Sequence, residues 1–206
     1  MQEVKLKEIE TFHSPTYGIL TFPEIIAKIS YFTQSAPDHE YRIIIGTDSQ
    51  SHGSTHSTSA QSRLEQGREA TSSPQAGPRA DFGRPGSAGP SKTSATGFVT
   101  ALVVHRVGGG GIYFWKGYKK NRPYTLRERI YEEALASLEF ANDFICRLKG
   151  EPQLLEVGLE IHVDIGENGA TREMISEVVA MIKGNGYNVK TKPDSFGASK
   201  VADRHT

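Results

Sequence analysis

Apolar runs at two distinct periods divide the chain into strands and helices. Within residues 41–50, YRIIIGTDSQ, the β-branched run Ile43, Ile44 and Ile45 predicts a buried strand that the small and polar residues from Gly46 to Ser49 bring to an end. Residues 98–107, FVTALVVHRV, and 112–118, IYFWKGY, predict an antiparallel pair joined through the glycines at 108–111. Residues 157–164, VGLEIHVD, alternate strictly, with Val157, Leu159, Ile161 and Val163 on one face and Gly158, Glu160, His162 and Asp164 on the other. Residues 187–192 form a further short strand that Pro193 breaks.

Helices fill the intervals. Thr21 and Glu24 form a capping box with Pro23 in the first turn, followed by an apolar stripe of Ile25, Ile26, Ile29 and Phe32. Thr125 and Glu128 form a second box ahead of Ile130, Ala134, Leu138, Ala141, Ile145 and Leu148. Beyond a turn at Gly166, Asn168 and Gly169, the residues Met174, Ile175, Val178, Val179 and Ile182 predict a helix that stops at Gly184 or Gly186, and residues 195–205 start a last one. Residues 12–18 read as a turn. The order is helix, three strands, helix, strand, helix, strand, helix, which predicts an α/β fold with a five-stranded mixed sheet and helices on its faces. Residues 1–40 are then an N-terminal helical extension packed on a domain of residues 41–206.

Residues 51–96 interrupt that domain. Ser, Thr, Gly and Pro supply 25 of the 46 positions there, while Leu64 and Phe82 are the only large apolar side chains. Such a segment cannot offset the entropy of its own ordering and is expected as a disordered insertion between two strands, with His52 and His56 solvated. The 24 basic and 24 acidic side chains cancel, so any nucleic-acid footprint must be local. Cys146 is the single cysteine and cannot pair within the chain, and no run reaches the length of a membrane span. The start, MQEVKLKEIE, has no secretory signal, so a cytoplasmic setting without membrane association is expected.

The acids are candidate chemistry. Asp48, at the predicted strand end, reads either as an Asx turn or as a metal ligand, depending on whether other acids fall at matching places. Asp164 ends another strand. Glu128, Glu132 and Glu133 lie in the first turns of the long helix, with Glu128 already explained as the partner of Thr125. Asp194 reads as an N-cap, and His162 as an ordinary surface histidine. Lys116, Lys119, Lys120, Arg122, Arg127 and Arg129 face only Glu128 in sequence, with Tyr113, Phe114, Trp115, Tyr118 and Tyr124 among them. That cluster reads as a nucleic-acid surface or as a solvated basic loop.

The order of elements is similar to that of the ribonuclease H superfamily, whose first strand carries a turn that Thr47, Asp48 and Ser49 resemble. GTDSQ, FVTALVVHRVG, LRERIYEEALASLE, EIHVDIGENG and KPDSFGASKVADRHT, in that order, resemble the ribonuclease H-like YkuK family of bacterial proteins. The resemblance implies a metal-dependent nuclease using Mg²⁺ or Mn²⁺ on RNA, an RNA–DNA hybrid or DNA, or else a non-catalytic binding or interaction module on the same frame. It implies Asp48, Glu132, Asp164 and Asp203 as catalytic metal ligands, the last within Val201, Ala202 and Asp203, with Glu128 and Asp194 as second choices. Lys116, Lys119, Lys120, Arg122 and Arg127 are then the expected nucleic-acid contacts. The family joins its first two strands by a short link, so the insertion is a departure.

Overall fold

The computed structural model describes residues 10–52, 95–166 and 172–206. Its sheet runs in the order β2-β1-β5-β4-β3-β6-β7, from β1 (Thr11–Ser14), β2 (Gly18–Thr21), β3 (Tyr41–His52), β4 (Ala95–Arg106), β5 (Gly111–Lys120), β6 (Gly158–His162) and β7 (Asn188–Lys190). Strands β3, β4 and β5 are antiparallel in sequence order, and β6 and β7 then add in parallel on the other side of β3. Parallel pairing needs crossovers. These are supplied by α2 (Leu126–Arg147) with the short α3 (Pro152–Leu155), and by α4 (Ile175–Gly184).

The expected five strands are thus the centre of the sheet, and two more precede them. Phe12 and Ser14 point inward while Thr11 and His13 point out, so the segment expected as a turn is a strand, and it docks on β5 through His13 and Trp115. The N-terminal region therefore contributes a hairpin as well as the expected helix, α1 (Phe22–Gln34). Both capping boxes form as their spacing requires. Strands β3 and β4 also pair beyond the predicted ends, out to His52 and Ala95, so both margins of the expected insertion belong to the ladder. Residues 53–94, including His56, lie outside the described residues, as do residues 1–9 and the turn at Asn168 and Gly169.

One face of the sheet carries the main core. Ile25 and Ile29 of α1, Phe140 and Phe144 of α2, and Val178 and Ile182 of α4 meet Ile43, Ile45, Leu102, Val104 and Ile161 of the strands. Each such side chain contributes about 1.5–3 kcal/mol by leaving water. The opposite face has a thinner cover. A wide helical turn, Gly197–Ala202, lies across it, with Ala202 against Val99 and Ala101 beside Trp115. Its backbone comes so near that a Cβ on Gly46 would stand 2.6 Å from the Ala198 nitrogen, and one on Gly197 the same distance from Ile44 Cγ2. Glycine at these two positions is what lets the terminal segment reach the sheet.

Candidate active site

Asp48 sits inside β3 and not at its end, on the thinly covered face. The parallel register pairs Ile44 with Glu160 and Gly46 with His162, and the next step on the same face sets Asp48 beside Asp164, just beyond the end of β6. Asp203 follows the terminal helical turn directly. Burial pushes the Asp48 carboxyl above its ordinary range; the Thr206 hydroxyl opposes this, while Asp203 and Asp164 add to it. Asp203 and Asp164 thus both lie near enough to act on the Asp48 carboxyl.

Two of their oxygens are already engaged. Thr206 Oγ1 lies 2.9 Å from Asp48 Oδ2 and 3.0 Å from the Ala202 carbonyl. Lys192 Nζ lies 3.0 Å from Asp164 Oδ2, whereas Asp164 Oδ1 is buried without a hydrogen-bond partner.

The helix acid that feels this group is Glu133, from under α2 on the opposite side of the sheet. It is 5% exposed, and its Oε1 accepts from Ser49 Oγ at 2.6 Å. Burial pushes its carboxyl up to about 8; the Ser49 bond opposes this, and the charges of Asp48 and Asp164 reinforce it. Glu133 belongs to a polar chain under α2 in which Ser137 Oγ donates to Thr47 Oγ1 at 2.9 Å and Thr47 meets Thr100 at 3.0 Å. Glu132, the expected ligand, is turned away by one helical step and pairs with Lys120. Glu128 holds the Thr125 backbone N–H at 2.8 Å and pairs with Arg122. Asp194 stands exposed in the turn before Ser195 and caps no helix; the terminal turn starts from Phe196 with no side-chain cap.

His162 departs from the surface reading. It is 1% exposed, its Nδ1 accepts from the Gly197 N–H at 3.0 Å, and its Nε2 lies 3.1 Å from Glu160 Oε1. It anchors the terminal segment, and burial holds its pKa below the usual histidine range.

The basic cluster is divided by the pleat. Lys116 pairs with Glu10, Lys120 with Glu132, Arg122 with Glu128 and Arg127 with Glu177. Among the described residues Lys119 alone of the five expected contacts has no ion pair, and it lines a groove together with Trp115 and Thr206. The sequence count of free positive charge on this surface is corrected accordingly, since the partners come from α2, α4 and Glu10.

All the candidate donors are carboxylate oxygens, the type that Mg²⁺ and Mn²⁺ prefer, and the orphaned Asp164 oxygen and the raised Asp48 and Glu133 carboxyls suit a cation. Among the described residues no three His, Cys, Asp or Glu side chains are already gathered closely enough to hold an ion. A site with these donors would have to draw together on binding.

A mixed sheet in this order, with its acids at β3, after β6 and in the terminal segment, defines a class. Residues 86–206 match the Ribonuclease H-like family, and the chain belongs to it. The chain is also similar to the uncharacterized protein YkuK of Bacillus subtilis (strain 168), at 28% identity over 207 residues, covering 95% of this chain and 96% of the relative. No solved structure matches. The family match begins after β3, so the place of Asp48 rests on the register of the sheet.

Proposed function

We propose that the protein is a metal-dependent nuclease that hydrolyses phosphodiester bonds, with Asp48, Asp164, Asp203 and Glu133 as the functional acids. The observation that carries this reading is the parallel register of Gly46 with His162, two residues before Asp48 and Asp164, together with the effect of Asp164 on the Asp48 carboxyl, in a ribonuclease H-like chain. Asp48, Asp164 and Asp203 would hold Mg²⁺ or Mn²⁺, and Glu133, once ionised, would complete the set. The metal would supply an activated water and charge neutralisation at the scissile phosphate. Glu133 is protonated near neutral pH in the isolated chain, so binding a cation releases its proton into solution. RNA, an RNA–DNA hybrid or DNA is the proposed substrate class.

Cleavage of single-stranded RNA, single-stranded DNA and a hybrid with Mg²⁺ or Mn²⁺ tests this. The wild type is expected to cut at least one of them and Asp48→Asn none. Undiminished cutting by Asp48→Asn, or none by the wild type on any of the three, would sink the reading. One observation favours a second reading, a nucleic-acid-binding or interaction module without turnover: Thr206 and Lys192 occupy oxygens of Asp48 and Asp164.

A further inference from the structure

Gly117 stands at a position in β5 where the fold does not require glycine. Its φ lies outside the left-handed region, and a Cβ built there would meet only the Phe98 carbonyl at 3.7 Å and Val99 Cγ2 at 3.8 Å, ordinary contact distances. The residue is exposed within a ten-residue strand, where a β-branched side chain would be favoured. A glycine inside a strand weakens it, and often marks a place where a ligand approaches the backbone.

Gly117 lies on the floor of a groove of about 340 Å³ whose walls include His13, Trp115, Lys119, His205 and Thr206. Asp48 pairs with Val99 and Val99 with Gly117, and directly paired residues share a face. Asp48, Val99 and Gly117 therefore form a row across three strands, with Gly117 about 10 Å from Asp48 at the usual strand spacing. The groove borders the acids through Thr206, which lines it and touches Asp48. His205 stacks on Trp115 with ring centroids 3.8 Å apart, and His13 lies 5.4 Å from the same ring, so the wall is aromatic.

We propose that this groove seats one unpaired nucleotide of a nucleic-acid strand, its phosphate toward Asp48 and its base on the Gly117 floor. The proposal rests on the nuclease reading of the acids and adds the form of the substrate. The flat face of a base fits a bare stretch of sheet walled by aromatic rings, and Lys119 supplies positive charge. A space of about 340 Å³ is near the lower limit of small-molecule sites, which suits one nucleotide and not a base pair with its second strand.

The test is Gly117→Val, which fills the groove at a position with room for the side chain. Anisotropy of a short fluorescein-labelled unpaired oligonucleotide, in EDTA so that nothing is cut, is expected to show about tenfold weaker binding than the wild type. Thermal stability is expected to hold or rise, and Mn²⁺ affinity to hold. The same sequence as a blunt duplex is expected to bind the wild type more weakly than the unpaired form and to respond little to the substitution. Equal binding of the unpaired probe by both proteins, or none by the wild type, overturns the proposal. So does a change in sedimentation with unaltered oligonucleotide binding, which would make the occupant a second copy of the chain. Binding lost in Gly117→Val from a wild type that cuts nothing would keep the groove and sink the nuclease. Cutting at the wild-type rate and KM in the variant would do the reverse.

Discussion

The two faces of the sheet are built differently. One is covered by α1, α2 and α4 with large apolar side chains from every layer, whereas the other carries a short terminal segment seated on Val99, Ala101, Gly46 and Ile44. The first face supplies cohesion. The second leaves Asp48 and Asp164 half-buried, with Asp164 and Asp203 adding to the rise of the Asp48 carboxyl. The division is broken at one place: under α2, beside Asp48, the core turns polar at Thr47, Ser49, Thr100, Ser137 and Glu133. On the nuclease reading proposed above, the acid buried there would serve the site across the sheet and not the core.

Substitutions on the two faces should therefore separate stability from metal binding. Phe144→Ala, at a fully buried position of α2, is expected to cost about 3–5 kcal/mol in urea unfolding. Its effect on Mn²⁺ affinity in the protein that remains folded should be small. Gly46→Ala places a Cβ against the Ala198 nitrogen and is expected to cost less, about 1–3 kcal/mol. It should also lift the terminal segment, and Trp115, the single tryptophan, reports this because His205 stacks on it. Unchanged Trp115 emission in Gly46→Ala would mean that the segment is not held by this approach.

Glu133 gives a prediction with a sign. Its folded-state pKa is raised from 4.5 to about 8, so the folded protein binds the extra proton between those values and loses stability as pH rises through the window. Glu133→Gln should remove that slope. The variant is then more stable than the wild type above pH 8, by up to about 5 kcal/mol at about 1.4 kcal/mol per pKa unit, and close to it below about pH 4.5. Parallel pH–stability curves would contradict the burial argument. The smallest effect is expected for Thr206→Val, which removes the hydroxyl on Asp48 and should cost about 1 kcal/mol or less. It should leave Mn²⁺ affinity unchanged or slightly tighter.

Much of this was legible in the chain. The isoleucine run of β3 and the alternation of β6 located the two strands, because strand periodicity is a local signal, whereas the end of β3 was placed too early and the strand runs on past Asp48 to His52. The long helix was legible in its start and its apolar stripe, but the choice among its acids was not drawn from that stripe. Glu133 lies three residues from Ile130 and four from Ser137, both buried, whereas Glu132 falls between the buried rows. Small polar Thr47 and Ser49, on the face opposite Asp48, were the matching signal in the sheet. The N-terminal hairpin escaped because its two strands have only four residues each, too few for alternation to stand out beside Pro15 and Gly18. The burial of His162 was not legible either, since it depends on a backbone N–H from residue 197. The pairing of Arg127 with Glu177 is likewise tertiary, and it lowers the apparent charge of the basic cluster.

Titration calorimetry with Mn²⁺ on the wild type, Asp48→Asn, Glu132→Gln and Glu133→Gln tests the central claim most directly. Asp48→Asn and Glu133→Gln are expected to weaken binding by about tenfold or more, while Glu132→Gln leaves it unchanged. A wild type that binds no Mn²⁺, or a loss in Glu132→Gln equal to that in Asp48→Asn, would contradict the assignment of the acidic face.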